Sequence, residues 1–342
     1  MRVTISDVAA RAGVSTATVS YVLNGSNRVS EKTKQRVLEA VRELRYQPNA
    51  LARGLVKDQT KNIGLVIPHT AEYVFSDPYF SELLKGVGSV VTRRGYFLLL
   101  SLIPEASNLS NVVSSLISQR RVDGIIMVCT PRESSEIAPL QNGQVPFTLI
   151  GANLMPNICS IDVDNEEGSY TAARHIIELG HTRIGYISGD MRYDNAVQRC
   201  RGFQRALEEA NLEPVGVYMG DFTQHSVVLG ARQLLQDRKN PVTAIVCASD
   251  LMAYGVLREA KEQGYSIPED LSVIGFDDIP MSRESQPKLT TIRQPITTLG
   301  SLASHQLINQ IENKQDSIGP VKQVIKTKLV VRNSTAAPRN LV

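Results

Sequence analysis

The spacing of apolar positions changes once along the chain. Up to residue 46 apolar residues recur at helical spacing, as in Val37, Ala40, Val41 and Leu44. From Ile63 onward, short apolar runs alternate with amphipathic, helix-like stretches. The runs cover residues 63–68, 96–101, 123–129, 147–151, 183–189, 243–249 and 272–278. This alternation predicts α/β architecture, with parallel sheets covered by helices on both faces.

Capping signals divide the N-terminal part into three helices. Thr4 with Asp7 forms a capping-box pattern, and Gly13 ends that first helix. Ser15 begins a second helix that runs to about Asn24, and Ser30 begins a third. Two helices joined by a tight turn and supported by a third predict an all-α helix-turn-helix unit.

The α/β part nearly repeats itself, in blocks at about 61–155 and 181–280. Two doubly wound lobes would face each other across a cleft, with ligands at the carboxyl ends of the strands. Segments 289–295 and 323–334 would cross back between the lobes. We therefore expect a headpiece at 1–47, a short helix and linker at 48–60, and a two-lobed domain at 61–342. Its N-lobe would span about 61–159 plus 291–320, and its C-lobe about 160–290 plus 321–335.

Charge is distributed unevenly. Residues 1–58 hold ten Lys or Arg against five Asp or Glu, a net +5, whereas the remaining 284 residues hold 27 against 29, a net −2. Positive charge concentrated in the headpiece indicates that this part meets a polyanion.

One face of the second helix has short polar side chains and a tyrosine. Thr16, Ala17, Ser20 and Tyr21 would let the helix backbone approach base edges in the major groove of double-stranded DNA. Phosphate contacts are expected from Thr4, Ser15, Thr18, Asn24, Ser30 and Thr33. A helical bundle that binds another protein is the alternative interpretation of this unit.

The same residues carry a family resemblance. The stretch VTISDVAARAGVSTATVSYVLNGSNRVSEKTKQRVLEAVRELRYQPNALARGL resembles the DNA-binding headpiece of the lactose-repressor (LacI/GalR) family. Further similar segments follow in order: IGLVIP, DPYFSELLKGV, RVDGIIM, HTRIGYISG, SDLMAYGVL, PEDLSVIGFDD and LTTIRQP. The resemblance therefore covers nearly the whole chain and implies a periplasmic-binding-protein-like two-lobed domain.

For the DNA-binding part, the resemblance implies specific roles. Residues 15–24 would be the recognition helix, with Thr16, Ala17 and Tyr21 reading bases and Arg28 reaching the operator. Asn49 to Leu55 would be a hinge helix that folds on the operator, with Leu55 wedged into the minor groove beside Ala52 and Arg53. Such proteins act as homodimers on pseudo-palindromic operators. The sequence shows no C-terminal heptad repeat of the kind that forms a tetramer, so we expect a dimer.

For the cleft, the resemblance implies a set of effector contacts. These are Tyr79, Phe80, Asp164, Tyr193, Asn195, Arg199, Phe222, Ser249 and Asp277. The planar fork of Arg199 suits a hydroxyl pair or an acid. Asp277 falls where a strand delivers side chains to the cleft.

The effector class is predicted to be a saccharide or sugar derivative, with a purine or nucleoside as the alternative. Within the family, the arginine that reads purines falls at Tyr193 here, which weakens the purine case. Gly151 and Ala152 fall where an acidic residue that meets sugar hydroxyls often lies. Carbohydrate-utilisation genes are the expected targets, and the sequence leaves open whether the effector releases or recruits the protein.

Two other protein classes share this architecture. An enzyme is disfavoured because no GxGxxG or P-loop is present and the five histidines are scattered. A sugar-binding transport protein would need an export signal and would not carry a basic headpiece. The start lacks an apolar leader, so we expect a cytoplasmic protein without membrane association. We expect no cofactor, and the scattered histidines predict no metal site.

Overall fold

A computed structural model describes residues 3–23, 28–46, 59–104, 109–128, 145–151, 158–222, 224–237, 239–313 and 321–339. The chain divides into two compact units, Met1–Lys61 and Asn62–Val342. Among the described helices, none combines the length and apolar character that crossing a membrane requires.

The first unit is a three-helix headpiece. Its helices are α1 (Ile5–Ala12), α2 (Thr16–Leu23) and α3 (Glu31–Glu43). The predicted capping box is confirmed: the Thr4 hydroxyl accepts from the Asp7 amide at 3.4 Å, and the Asp7 carboxylate accepts from the Thr4 amide at 2.8 Å. One fully buried valine from each helix, Val8, Val19 and Val37, forms the centre of its core.

The second unit alternates strands with helices. In chain order it contains β1 (Asn62–Ile67), α4 (Ala71–Ser76), α5 (Pro78–Arg93), β2 (Phe97–Leu102), α6 (Leu109–Ser118), β3 (Gly124–Val128), β4 (Phe147–Ile150), β5 (Cys159–Val163), α7 (Asn165–Glu178), β6 (Ile184–Ser188), α8 (Asp194–Glu209), β7 (Gly216–Met219), α9 (Gln224–Leu235), β8 (Ala244–Cys247), α10 (Asp250–Glu262), β9 (Ser272–Asp277), a 3₁₀ turn (Pro280–Arg283), β10 (Thr290–Arg293), α11 (Ile296–Glu312), β11 (Lys322–Ile325) and β12 (Lys328–Val330).

Two six-stranded sheets form the two lobes. The N-lobe sheet has the order β11-β5-β4-β3-β1-β2, and the C-lobe sheet has the order β12-β10-β9-β8-β6-β7. All pairings are parallel except that between β10 and β12. Strands β3, β6, β8 and β9 are buried at every position, because helices cover both faces of each sheet. The predicted two-lobed α/β class is confirmed.

The chain crosses between the lobes three times, after β5, after β10 and after β11. The lobe boundaries therefore differ from those expected: β5 and β11 belong to the N-lobe sheet, and β10 belongs to the C-lobe sheet. The pattern of apolar runs does not predict β5, because Ser160 and Asp162 interrupt its apolar residues. It does not predict β7 either, because this edge strand has only four residues, none of them fully buried.

Helices α5 and α11 pack closely on one face of the N-lobe sheet. At Gly86 an added Cβ would lie 2.0 Å from the Thr297 carbonyl oxygen, so the two helix backbones approach to a distance that only glycine permits. At Gly88, two residues further along α5, an added Cβ would meet nothing within 4 Å.

The two glycines of α5 therefore make a matched pair. We expect Gly86→Ala to lower the stability of the second unit by about 1–3 kcal/mol, because the helices must separate. We expect Gly88→Ala to raise it by about 0.5–1 kcal/mol, because alanine favours the helix. Thermal and urea unfolding of both full-length variants measure this, and equal effects would contradict the close approach.

Candidate functional site

A cavity lies between the lobes, at the carboxyl ends of the strands in both sheets. It encloses about 820 Å³ of empty space, part of which is open to solvent. Eight of the nine predicted effector contacts line it: Tyr79, Phe80, Tyr193, Asn195, Arg199, Phe222, Ser249 and Asp277. The structure thus brings together residues that lie up to about 200 positions apart in the sequence.

The ninth residue, Asp164, lies outside the cavity. It lines a groove on another side of the lobe junction, together with Glu166, Glu167 and Arg205. Its carboxylate caps α7 and accepts from the Glu167 amide at 3.0 Å. The reason is local: β5 ends at Val163 and the chain turns into α7, so the carboxylate faces the helix terminus. The expectation that Asp164 faces the cleft is corrected.

Nine other residues line the cavity without having been predicted: His69, Tyr73, Asp77, Ile150, Gly151, Asp162, Asn165, Asp194 and Gln294. Some of them had a signal in the sequence. Asp77 is the first residue of the DPYF segment, and Gln294 directly follows β10. Asp162 would have been found as a strand-end carboxylate if β5 had been recognised.

Arg199 is the most constrained side chain of the site. It is 4% exposed. Its Nε donates to Asn165 Oδ1 at 2.8 Å, and its Nη1 donates to the Ala248 carbonyl at 2.6 Å and lies 3.5 Å from Asp277 Oδ1. The guanidinium also stacks over the Phe276 ring, 3.7 Å from its centroid. These contacts fix the orientation of the fork.

Asn165 extends this arrangement to the N-lobe. Its Oδ1 accepts from Arg199, and its Nδ2 donates to the Asp162 carboxylate at 3.2 and 3.3 Å. Asp162 belongs to β5 of the N-lobe sheet, whereas Arg199 lies on α8 of the C-lobe. Asn165 is therefore a positioning residue at the first crossing, because it joins a charged group of one lobe to a charged group of the other.

Burial dominates the acidity of the cavity. It raises the pKa of Asp162 to about 6, against hydrogen bonds from the Val163 amide and Asn165 and the charge of Arg199. Burial likewise raises the pKa of Asp277 well above its usual value, although Arg199 lies beside it and opposes the shift. The pKa of Asp77 is raised for the same reason. The carboxylates thus lack enough positive charge around them to offset their loss of water.

Aromatic rings form one wall of the cavity. The His69 ring lies 4.6 Å from Tyr73 and 6.2 Å from Phe80, between ring centroids, and 5.3 Å from Tyr193 of the other lobe. Burial lowers the pKa of His69 to about 4, so the imidazole is neutral near pH 7 and adds no positive charge. His69 and Tyr193 therefore make an uncharged contact across the junction of the lobes.

Phe222 covers another part of the cavity. Its backbone has φ 65°, a conformation uncommon for a bulky residue. Its ring lies flat on Gly189, where an added Cβ would overlap the ring at 1.9 Å. Residues held in this region commonly belong to ligand sites, because the surrounding structure must maintain the strain.

The residues predicted to meet DNA lie on the surface of the headpiece. Thr16, Ala17 and Tyr21 are exposed on α2, and Ser20 is half-buried beside them. The side chains of Thr4, Ser15, Thr18, Arg28, Ser30 and Thr33 are exposed or half-buried. Asn24, Asn49, Ala52, Arg53 and Leu55 lie outside the described residues.

Comparisons with known proteins agree with this arrangement. Residues 4–49 match the family described as "Bacterial regulatory proteins, lacI family", and residues 152–335 match a "Periplasmic binding protein-like domain". The chain is 36% identical over 316 residues to the "HTH-type transcriptional repressor PurR" of Aliivibrio salmonicida, covering 91% of this chain and 93% of that protein. It is 35% identical to PurR of Escherichia coli O139:H28, covering 97% of each chain.

The chain belongs to the LacI family. It is therefore a DNA-binding transcriptional regulator, as the resemblance implied.

Solved structures of LacI-family proteins have the same fold. A lac repressor dimer bound to operator and the anti-inducer ONPF matches with a TM-score of 0.87 and 29% identity, covering 98% of this chain and all of that one. A CelR–cellobiose complex matches with a TM-score of 0.75 and 32% identity, covering 97% of this chain and all of that one. These LacI-family structures are aligned along almost the entire length of the chain.

The raised pKa of Asp162 gives a prediction for stability. Its folded pKa of about 6 exceeds the ordinary 3.8, so ionisation opposes folding above pH 6 and this cost disappears as the pH falls towards 4. We expect Asp162→Asn to have a higher melting temperature than the wild type at pH 8. The difference should shrink as the pH falls to about 5. Asp164→Asn, the same change outside the cavity, controls for the loss of one charge. A difference that does not vary with pH would contradict the raised pKa.

Proposed function

We propose that this regulator is a repressor whose operator binding is controlled by a small uncharged molecule in the cavity between the lobes. The observation that carries the proposal is that one chain combines an exposed polar face on α2 with a separate cavity, in which hydrogen bonds and an ion pair hold the guanidinium of Arg199 in one orientation. The relatives named as PurR are repressors, which supports this direction of regulation.

The charge of the cavity restricts the effector. Four aspartates line it, Asp77, Asp162, Asp194 and Asp277, whereas Arg199 is the single arginine among its described lining residues. Arg199 is already engaged by Asp277 and Asn165. A phosphate or carboxylate on the ligand would face uncompensated negative charge. A neutral ligand with several hydrogen-bond donors fits this lining.

A saccharide meets these requirements. Its hydroxyls donate to carboxylates such as Asp162, and its apolar ring face packs on an aromatic ring such as Phe222. Asp162 lies on β5, next to Gly151 at the end of β4, whose amide donates to the Ile161 carbonyl at 2.9 Å. We infer that Asp162 supplies the carboxylate that Gly151 lacks. The CelR structure, which contains cellobiose, is a relative with a sugar bound.

A purine is the second candidate, and the full-length relatives favour it over the saccharide. Those relatives, at 35–37% identity, carry the name PurR, which denotes a purine repressor. The rings of His69, Tyr73 and Phe80 offer a surface on which a flat base would pack. Against it, Tyr193 stands where the arginine that reads purines is expected.

A thermal-shift screen separates the two effector classes. A ligand that binds the folded protein raises its melting temperature in proportion to ln(1 + [L]/Kd). We expect cellobiose, ribose or another neutral saccharide to raise it, and their phosphorylated forms to leave it unchanged. A shift produced only by free purine bases or nucleosides would replace the saccharide with the second candidate.

Two arginine variants serve as controls for the screen. Arg199→Lys keeps the charge but loses the fork, so it should abolish the shift. Arg201→Lys alters an exposed position two residues along the same helix and should preserve it. Operator affinity, measured with and without the active compound, should change for the wild type and not for Arg199→Lys.

The headpiece supports reading of the operator through α2. Thr16, Ala17 and Tyr21 are exposed on it, and Tyr21 is 45% exposed. We propose that these residues read bases, that Ser20 adjoins them, and that Thr4, Ser15, Thr18, Asn24, Ser30 and Thr33 meet phosphates. Arg28 would reach the operator from the next loop, and Asn49, Ala52, Arg53 and Leu55 would act in the minor groove.

Tyr21 should determine one position of each half-site. A tyrosine offers one hydroxyl and a ring edge, whereas an arginine grips guanine through two acceptors. We expect selection from random duplexes to return a non-guanine base opposite Tyr21 in the wild type and guanine there for Tyr21→Arg. The rest of the half-site should be unchanged. An identical selected site for both proteins would remove Tyr21 from the reading face.

We further propose that the regulator acts as a homodimer. Each lobe exposes apolar side chains near its edge strand, Phe97 and Leu99 on β2, and Met219 on β7 with Leu229 on α9. Large exposed apolar groups at both lobes favour a protein partner that spans them. A second copy would supply the second headpiece that a pseudo-palindromic operator requires. The lac repressor structure is a dimer on its operator.

A further inference from the structure

Two pairs of adjacent arginines lie at the amino ends of two strands in the N-lobe sheet. Arg93 and Arg94 precede β2, and Arg120 and Arg121 precede β3. In the sheet, β1 lies between β3 and β2. Because the three strands are parallel and in register from Asn62, the pairs flank the start of β1 on both sides. We name these four residues the arginine edge.

The charge of this edge is specific to the N-lobe. In the four residues before each of β1 to β5, the sequence holds these four arginines, Lys61 and two acids, Asp58 and Asp123. The C-lobe repeats the same strand topology, and the four residues before each of β6 to β10 hold two bases and three acids. These are Arg183, Lys288, Glu213, Glu269 and Asp270. Sheet architecture alone therefore does not require the positive charge.

The arginine edge faces solvent. Arg93, Arg120 and Arg121 are exposed, and Arg94 is half-buried in an ion pair with Glu312 at 2.5 Å. Arg93 Nε also donates to the Ser89 carbonyl at 3.0 Å, which holds its stem along α5. The edge thus combines four guanidinium groups with two carboxylates, Asp123 two residues after Arg121 and Glu312 paired with Arg94.

The headpiece is joined to the chain at this edge. Residues 44–61 connect α3, which ends at Glu43, to β1, which begins at Asn62 between the two arginine pairs. A duplex bound by the headpiece is therefore tethered, through this connection, to the strand that the arginine pairs flank.

We propose that the arginine edge contacts phosphates of the DNA that the headpiece holds. This inference rests on the proposed operator binding. It adds a second contact with DNA, which does not depend on sequence and is made by the second unit, Asn62–Val342. Guanidinium groups bind phosphate through paired hydrogen bonds, and each phosphate neutralised releases roughly 0.9 counterion. The edge would strengthen binding to any duplex and would not alter which sequence is preferred.

The test uses the full-length protein and compares two double variants. Arg93→Gln with Arg121→Gln removes two charges from the edge. Arg201→Gln with Arg258→Gln removes two exposed arginines from C-lobe helices and serves as the matched control. Affinity is measured across a salt series for two duplexes of about 30 base pairs, one from the selection and one scrambled. Arg93→Glu with Arg121→Glu provides a stronger second variant.

We expect the slope of log affinity against log salt to fall by roughly 2 per chain for the edge variant on both duplexes, and not for the control. The glutamate variant should bind more weakly still. Equal slopes for the wild type and the edge variant would overturn the proposal, as would equal losses in the control. A loss confined to the selected duplex would also overturn it, because phosphates carry no sequence. If the wild type bound neither duplex, the operator function itself would fail.

Discussion

The arrangement of the cavity between the lobes depends on the burial of one guanidinium group. A charge that is 4% exposed is costly unless it is paired and hydrogen-bonded on all sides. Arg199 obtains its partners from three separate segments: a C-lobe strand end at Asp277, a backbone turn at Ala248 and the first crossing at Asn165. Moving any one of these segments would deprive the buried guanidinium of a partner. Arg199 therefore holds together the end of β9, the turn at Ala248 and the first crossing between the lobes.

Local chemistry explains most of what the sequence predicted. Helix starts at Thr4 and Ser30 follow from capping residues a few positions away, and buried strands such as β3 follow from continuous apolar runs. Strand β5 could not be predicted in this way, since the polar residues Ser160 and Asp162 interrupt its apolar run, and Asp162 lines the cavity. Spacing also could not separate Asp162 from Asp164, because their different directions depend on where the strand ends. The position of His69 against Tyr193 depends on how the lobes pack, which no local pattern encodes.

The N-lobe sheet is electrically polarised from one end to the other. Its carboxyl ends carry the cavity acids Asp77 and Asp162, and its amino ends carry the arginine edge. A polyanion is repelled by the first end and attracted by the second.

The three crossings of the chain set the order in which a nascent molecule can become functional. The headpiece is complete once α3 has been made, whereas the N-lobe sheet lacks β11 until residue 325 has been synthesised. Helix α11, which covers that sheet, is also among the last elements to emerge from the ribosome. Domains generally fold as they are synthesised, from the N-terminus onward. A partly made chain thus completes the three-helix headpiece before either sheet is complete, so the cavity between the lobes forms only in the final steps of translation.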